Sequence, residues 1–235
     1  MIFDLIIPLH EKDFVKLKYC DESIERNFSV PPQNKYIVSN AKINYKDYKW
    51  IHDDDAVPVK KSEIKYRRQN WIYQQIIKLC QNFTANETYM VVDSDVIFNR
   101  RVDIKKAFYI SDRNQQHHPY FEFMKYYNLY KQTDYTFIND FTIFEKPICR
   151  ELLGSAEEFF NKINSVISEN CYPAEQEIYG NYIVKNYPGR YDIVFQKTQL
   201  NGKYYPEAWY DFEIEFLIEN NKNQDIDLFT IHSWT

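Results

Sequence analysis

Two acidic side chains one residue apart, Asp93 and Asp95 in Tyr89-Met90-Val91-Val92-Asp93-Ser94-Asp95-Val96-Ile97-Phe98, interrupt an otherwise apolar run. In an extended chain, residues i and i+2 project to the same side, so the spacing predicts two carboxylates aimed at one point. Such a pair suits a hard divalent cation. Mg²⁺ and Mn²⁺ take one or two protein carboxylates and leave room for substrate phosphate oxygens, so a strand ending in paired acids reads as a platform for a metal and a diphosphate. An isolated Asp-x-Asp also occurs in ordinary solvated turns. Its place after a buried-looking strand favours the site, because ligands of α/β folds gather outside the carboxyl ends of strands.

Other residues offer compatible chemistry. His232, in Thr230-Ile231-His232-Ser233-Trp234, follows an apolar strand that can carry it beside Asp95, and a neutral imidazole is a competent Mn²⁺ ligand. The bland alternative is a half-exposed histidine near a frayed end. Glu175 and Glu177 open a helix after Pro173, where the macrodipole alone would favour them. They stand roughly 200° apart around the axis, so at most one faces a given pocket, as a general base or a partner for a sugar hydroxyl. Asp140 interrupts an apolar strand and points either to solvent or into a site. His117 and His118 are adjacent, so their side chains diverge.

These residues need a scaffold. A strand is expected over 3–8, a helix carrying Phe14, Leu17, Tyr19 and Ile24, and strands over 35–39 and 48–52, the last ending in Asp53-Asp54-Asp55. A helix over 68–80 divides into an apolar stripe (Ile72, Ile76, Leu79) and a polar-aromatic one (Trp71, Gln74, Gln75, Lys78) that is free to meet a ligand. Further on come a strand over 107–111, a Tyr-rich helix over 119–130, an alternating strand over 135–144, helical stretches after Pro147 and Pro173 with a break at Gly154-Ser155, and strands over 191–197 and 225–231. The alternation predicts a mixed, mostly parallel central sheet flanked by helices, in one domain over 1–235.

Composition sets the outer bounds. Of the 235 residues, 44% are hydrophobic and 27% charged, which is globular and leaves no apolar run long enough for a bilayer. A net charge of -5 argues against a general nucleic-acid binder, which would show a basic stripe. The four cysteines follow no zinc or redox spacing, and three lie in apolar surroundings, so reduced thiols and a cytoplasmic home are expected. The apolar start contains Asp4 and has neither a basic leader nor a cleavage site, and reads as a first strand. The 21 Tyr and 17 Phe suit sugar or base stacking, but a biased coding sequence explains them equally well.

Taken in order, these segments resemble the nucleotide-sugar-dependent glycosyltransferases of the GT-A fold, whose hallmark is an Asp-x-Asp at the end of a central strand. The matching pieces are Ile6-Ile7-Pro8-Leu9, Trp71-x-x-Gln74-Gln75-x-x-Lys78, Val91-Val92-Asp93-Ser94-Asp95, Phe137 to Phe144, Glu175-Gln176-Glu177 and Ile231-His232-Ser233-Trp234. The likeness is greatest to small single-domain members from polysaccharide loci and large DNA viruses. It implies a Rossmann-like domain with a nucleotide-binding half (1–98) and an acceptor and sugar half (99–235). It also implies a Mn²⁺ or Mg²⁺ ion on Asp93, Asp95 and His232. The donor, a UDP-sugar first of all, would meet Pro8, Leu9, Arg68, Trp71, Gln74, Gln75, Asp93, Ser94 and Asn139. Glu175, with Glu177 and Asp140 behind it, would serve the reacting sugar on its way to a carbohydrate or glycolipid acceptor. Two departures stand out: Asn139-Asp140 replaces small residues common in that family, and the acidic helix start is Glu where several subfamilies have Asp. Other readings are a metal-dependent phosphohydrolase or nucleotidyltransferase and a nucleotide-sugar-binding module without turnover. Aspartate-nucleophile phosphatases place their acids after the first strand and follow them with Thr, whereas here Asp93 is mid-chain.

Overall fold

The first apolar run forms β1 (Asp4–Pro8), fully buried, at the middle of a five-stranded sheet. The computed structural model describes residues 1–204 and 208–234. After a one-turn helix come α1 (Phe14–Asn27), β2 (Asn34–Ser39), β3 (Lys49–His52), the short α2 (Asp53–Ala56), α3 (Gln69–Cys80) and β4 (Thr88–Val92). Then follow β5 (Val96–Phe98), β6 (Ala107–Ser111), α4 (His118–Met124), β7 (Phe141–Glu145), α5 (Lys146–Leu153), α6 (Ala156–Val166) and α7 (Glu175–Asn186). The chain closes with β8 (Asp192–Gln196), β9 (Thr198–Tyr204), α8 (Asp211–Asn221) and β10 (Leu228–Trp234).

The main sheet has the order β3-β2-β1-β4-β7, parallel except for β7, which runs antiparallel to β4 with Val92 opposite Phe141. Smaller sheets, β5-β10-β9 and β6-β8, flank it. This is a single mixed α/β domain with a mostly parallel, Rossmann-like central sheet flanked by helices, as the alternation of elements predicted. Both faces of the sheet are covered, which is why its strands are apolar without a break. Alternate residues feed two layers: Ile6, Tyr89 and Val91 pack with α3, α5, α6 and α7, while Leu5, Ile7, Met90 and Val92 pack with α1, β5 and β6. No helix among the described residues is long and apolar enough to cross a membrane. Cys20, Cys149 and Cys171 are buried, Cys80 is half-buried, and all four are free thiols.

Three expectations need correction. The alternating run 135–144 is strand only over its last part, Phe141 onward. Before that, the backbone is satisfied by side chains: Glu177 Oε1 accepts from the Phe137 N–H at 2.7 Å, Gln176 Oε1 accepts from the Asn139 N–H at 3.1 Å, and the Gln176 amide donates to the Asn139 carbonyl. The first turn of α7 thus takes the place of a neighbouring strand. Second, the helix expected over 119–130 leaves the α-form at Met124, because a one-turn helix over Lys125–Tyr127 ends at Asn128 in the left-handed region. Third, α8 and β9 lie between the strands expected over 191–197 and 225–231, where no element is expected from the sequence. Ile214 is buried on α8 whereas Phe212 and Phe216 are exposed, so no clean apolar stripe announces that helix.

Candidate active site

Every parallel strand of the main sheet points its carboxyl end to one side, and a cleft of about 440 Å³ opens there. Asp93 follows β4 directly, and its N–H donates to the Asp140 carbonyl at 3.1 Å, so the exit of β4 and the entry of β7 share the floor. Both acids of the pair line the cleft, though not as neighbours on an extended strand. Residues 93–95 form a turn closed by the Val96 N–H on the Asp93 carbonyl at 3.2 Å, and it is this turn that presents both carboxylates.

The floor is a row of charges. Lys78, on the polar-aromatic stripe of α3, is buried and reaches Glu175 Oε1 at 2.9 Å and Asp93 Oδ1 at 2.9 Å. The first contact is a hydrogen bond. The second is an ion pair without hydrogen-bond alignment, which leaves Asp93 Oδ1 buried with no hydrogen-bond partner. At the other end, His232 Nδ1 meets Asp95 Oδ2 at 2.9 Å. That contact depends on β10: its pairing with β5 is extended by the Ile231 N–H on the Asp95 carbonyl at 2.9 Å, which ties the late strand to the turn over residues 93–95. From α1, Lys16 donates to Asp13 at 2.6 Å and to Ser233 Oγ at 2.9 Å, and Lys12 donates to the Ser233 carbonyl at 3.2 Å. The side chain of Trp234 lies outside the described residues.

Titration follows this geometry. Burial pushes Asp93 up to about 6; Lys78 works against that and the Asp95 charge with it. Burial would raise Asp95 too, but its hydrogen bond and charge pairing with His232 hold it below the usual carboxylate range. His232 is correspondingly raised, the Asp95 carboxylate outweighing the effect of burial. Burial also raises Asp140, against the pull of Arg113, whose guanidinium lies 2.6 Å away.

Most residues singled out from the sequence meet at this cleft: Pro8, Trp71, Gln74, Gln75, Asp93, Ser94, Asp95, Asn139, Asp140, Glu175 and His232 all line it. Glu175 and Glu177 separate as helix geometry required. Glu175 faces the cleft, while Glu177 is wholly buried behind it, bonded to the Phe137 N–H and to Asn181 Nδ2 at 3.0 Å. Glu177 therefore shapes the 137–140 segment from behind. Leu9 is buried and continues the sheet through its N–H on the Val38 carbonyl, and Arg68 is exposed at the start of α3; neither lines the cleft. His117 and His118 diverge, His117 to the Tyr172 hydroxyl and His118 to Glu122 at 3.1 Å. Arg113, Tyr120, Gln115 and Ser233 line the cleft without having been singled out. Tyr120 had a signal in the Tyr-rich helix, but Arg113 had none, since its meaning lies in a partner 27 residues away.

Asp93, Asp95 and His232 do not converge as a ready-made ligand triad, because Lys78 holds Asp93 while His232 holds Asp95. Among the described residues, three such ligand atoms fall within 4.8 Å of one another at His52, Asp53 and Asp54. That cluster is spent on structure. His52 Nδ1 accepts the Asp54 N–H at 3.2 Å to cap α2, and Asp53 pairs with Lys61 at 3.2 Å. The cleft nevertheless fits a divalent cation. Its donors are carboxylate oxygens and an imidazole, and the carboxylates of Asp13, Asp93, Asp95, Asp140 and Glu175 outnumber Lys78 and Arg113. A second hollow, of about 410 Å³ beside Cys80, Lys146 and Cys149, has no comparable convergence.

Fold and site together define an α/β domain with an acid-rich cleft at the carboxyl ends of its parallel strands. The chain belongs to the family described as "Family of unknown function (DUF6492)", matched over residues 12–152. That span includes α3, the Asp93–Asp95 turn and Asp140, and it ends before Glu175 and His232. No curated protein matches the chain.

Proposed function

We propose that this protein is a metal-dependent glycosyltransferase that moves a sugar from a nucleoside diphosphate, UDP first among them, to a hydroxyl of a carbohydrate or glycolipid acceptor. One observation carries the reading: a single floor on which Glu175, Lys78 and Asp93 are linked at one end and Asp95 and His232 at the other. The carboxylate excess would repel a diphosphate unless a cation were present, which ties nucleotide binding to metal. Asp95 and His232 would hold the ion, with Asp93 beside them. Bound Mn²⁺ or Mg²⁺ supplies Lewis-acid neutralisation of the charge that develops on the diphosphate leaving group.

The remaining work belongs to the chain. Lys78 fixes Glu175 through Oε1, and Gln75 Oε1 accepts the Glu175 N–H at 2.9 Å, so both the carboxylate and the start of its helix are held in place. Glu175 Oε2 has no hydrogen bond within the described residues and is the atom offered to substrate. In an inverting reaction it takes the proton of the acceptor hydroxyl; in a retaining one it stabilises positive charge on the sugar. Arg113 keeps Asp140 oriented at the rim of β7. The four free thiols support a reducing, cytoplasmic setting. The test is a melting-temperature panel of UDP, GDP, ADP and CDP with and without Mn²⁺, followed by assay of sugar release from the matching donors. A nucleotide shift that requires Mn²⁺, with metal-dependent release, supports the reading. A metal-dependent shift without release leaves a binding module, and nucleotide shifts indifferent to metal refute it.

A further inference from the structure

One part of the cleft is used by neither the metal platform nor Glu175. Trp71 and Tyr120 line its wall, offset-stacked with ring centroids 6.2 Å apart and planes at 25°. Tyr172 backs both rings edge-on, at 5.5 Å from each, and is itself fixed by His117. The wall is therefore rigid but half open. Neither the Trp71 indole N–H nor the Tyr120 hydroxyl has a hydrogen bond within the described residues, so both polar handles remain for a ligand.

Its position identifies the ligand's chemistry. Tyr172 lies three residues before α7, so the wall stands over Glu175, and the Glu175 charge acts on the Tyr120 hydroxyl. That is the end of the floor away from Asp95 and His232, where the metal and the diphosphate are placed. Trp71 precedes Lys78 by seven residues on α3, about 10 Å along the helix axis, so the aromatic wall is the rim and the Lys78–Glu175 pair the floor. That axial separation is longer than one pyranose ring. Flat apolar rings with free donors beside an acidic floor match an uncharged polyhydroxylated chain, in which one sugar stacks at the rim while the next presents its hydroxyl to Glu175.

We propose that Trp71 and Tyr120 form an acceptor subsite for the penultimate sugar of an oligosaccharide, which assigns Trp71 to the acceptor and not to the nucleotide. This rests on the transferase reading, and the experiment separates the two. Parent, Trp71→Ala, Trp71→Phe and Tyr120→Ala proteins are titrated calorimetrically with α- and β-linked gluco-, manno-, galacto- and N-acetylglucosamine trisaccharides, with the corresponding monosaccharides, and with UDP plus Mn²⁺. A trisaccharide should bind the parent at least about tenfold more tightly than its monosaccharide, lose about tenfold or more in Trp71→Ala and Tyr120→Ala, and recover most of that in Trp71→Phe. The subsite is overturned if no trisaccharide binds the parent, if Trp71→Ala binds trisaccharide as tightly as the parent, or if Trp71→Ala loses UDP and keeps the trisaccharide, which would make the wall a nucleobase platform. Trisaccharide binding that depends on Trp71 in a parent that ignores UDP and Mn²⁺ upholds Trp71 and Tyr120 as an oligosaccharide subsite but sinks the transferase reading, and with it the assignment of that subsite to an acceptor.

Discussion

Glu177 is wholly buried, and burial pushes it from 4.5 to about 7, against the opposing pull of the Phe137 N–H and Asn181. A rise of that size corresponds to about 3 kcal/mol of differential stabilisation between its two protonation states. A group raised on folding binds its proton more tightly in the native state, so its contribution is complete below about 4.5 and is lost as pH rises through about 7. Glu177→Gln makes the side chain permanently neutral. It also sets an amide N–H against one of two donors, the Phe137 N–H or Asn181 Nδ2, at a cost of roughly 1–3 kcal/mol. That cost does not vary with pH. The parent should therefore be clearly more stable than the variant at pH 4.5, and the gap should shrink by about 3 kcal/mol, closing or reversing, by pH 8. Urea unfolding of both proteins at four pH values in this window provides the measurement. A parent-minus-variant difference that is flat with pH would refute a titrating Glu177.

Three further outcomes follow from the same geometry. Glu175→Gln should leave Mn²⁺-dependent nucleotide binding in place and lower transfer by roughly two orders of magnitude or more, read as kcat with saturating donor. His232→Ala should raise the Mn²⁺ concentration for half-maximal activity more than that for Mg²⁺, because an imidazole nitrogen favours Mn²⁺, and equal changes for the two metals would remove it from the metal shell. Gly180→Ala would place a Cβ 2.2 Å from Phe137 Cγ, so repacking of the ring should cost about 1–3 kcal/mol in urea unfolding.

The polar stripe of α3 was legible because helical spacing alone puts Trp71, Gln74, Gln75 and Lys78 on one face, and all four reached the cleft. The same kind of reasoning separated Glu175 from Glu177. Period-2 alternation failed at Tyr135 to Asp140, where side chains from α7 replace a strand's hydrogen bonds and only local pattern was available to judge by. The pairing of Asp93 with Lys78 was also out of reach: each residue was noted, but spacing says nothing of which buried cation a carboxylate will choose. Arg113 was missed for the same reason, since its partner Asp140 lies 27 residues along the chain, and so was the bond from Lys16 to Ser233. Leu9 and Arg68 flank elements that do enter the cleft, yet one turns into the sheet and the other to solvent.

The claim that Asp95 and His232 anchor a cation which carries the nucleotide is tested most directly by Mn²⁺ electron paramagnetic resonance. Parent and Asp95→Ala proteins are titrated with Mn²⁺ in the presence and absence of UDP, and free Mn²⁺ is read from its sharp signal. UDP should strengthen Mn²⁺ binding to the parent, and Asp95→Ala should lose this coupling while keeping its urea unfolding transition. Equal Mn²⁺ and UDP coupling in the folded variant and the parent would contradict it.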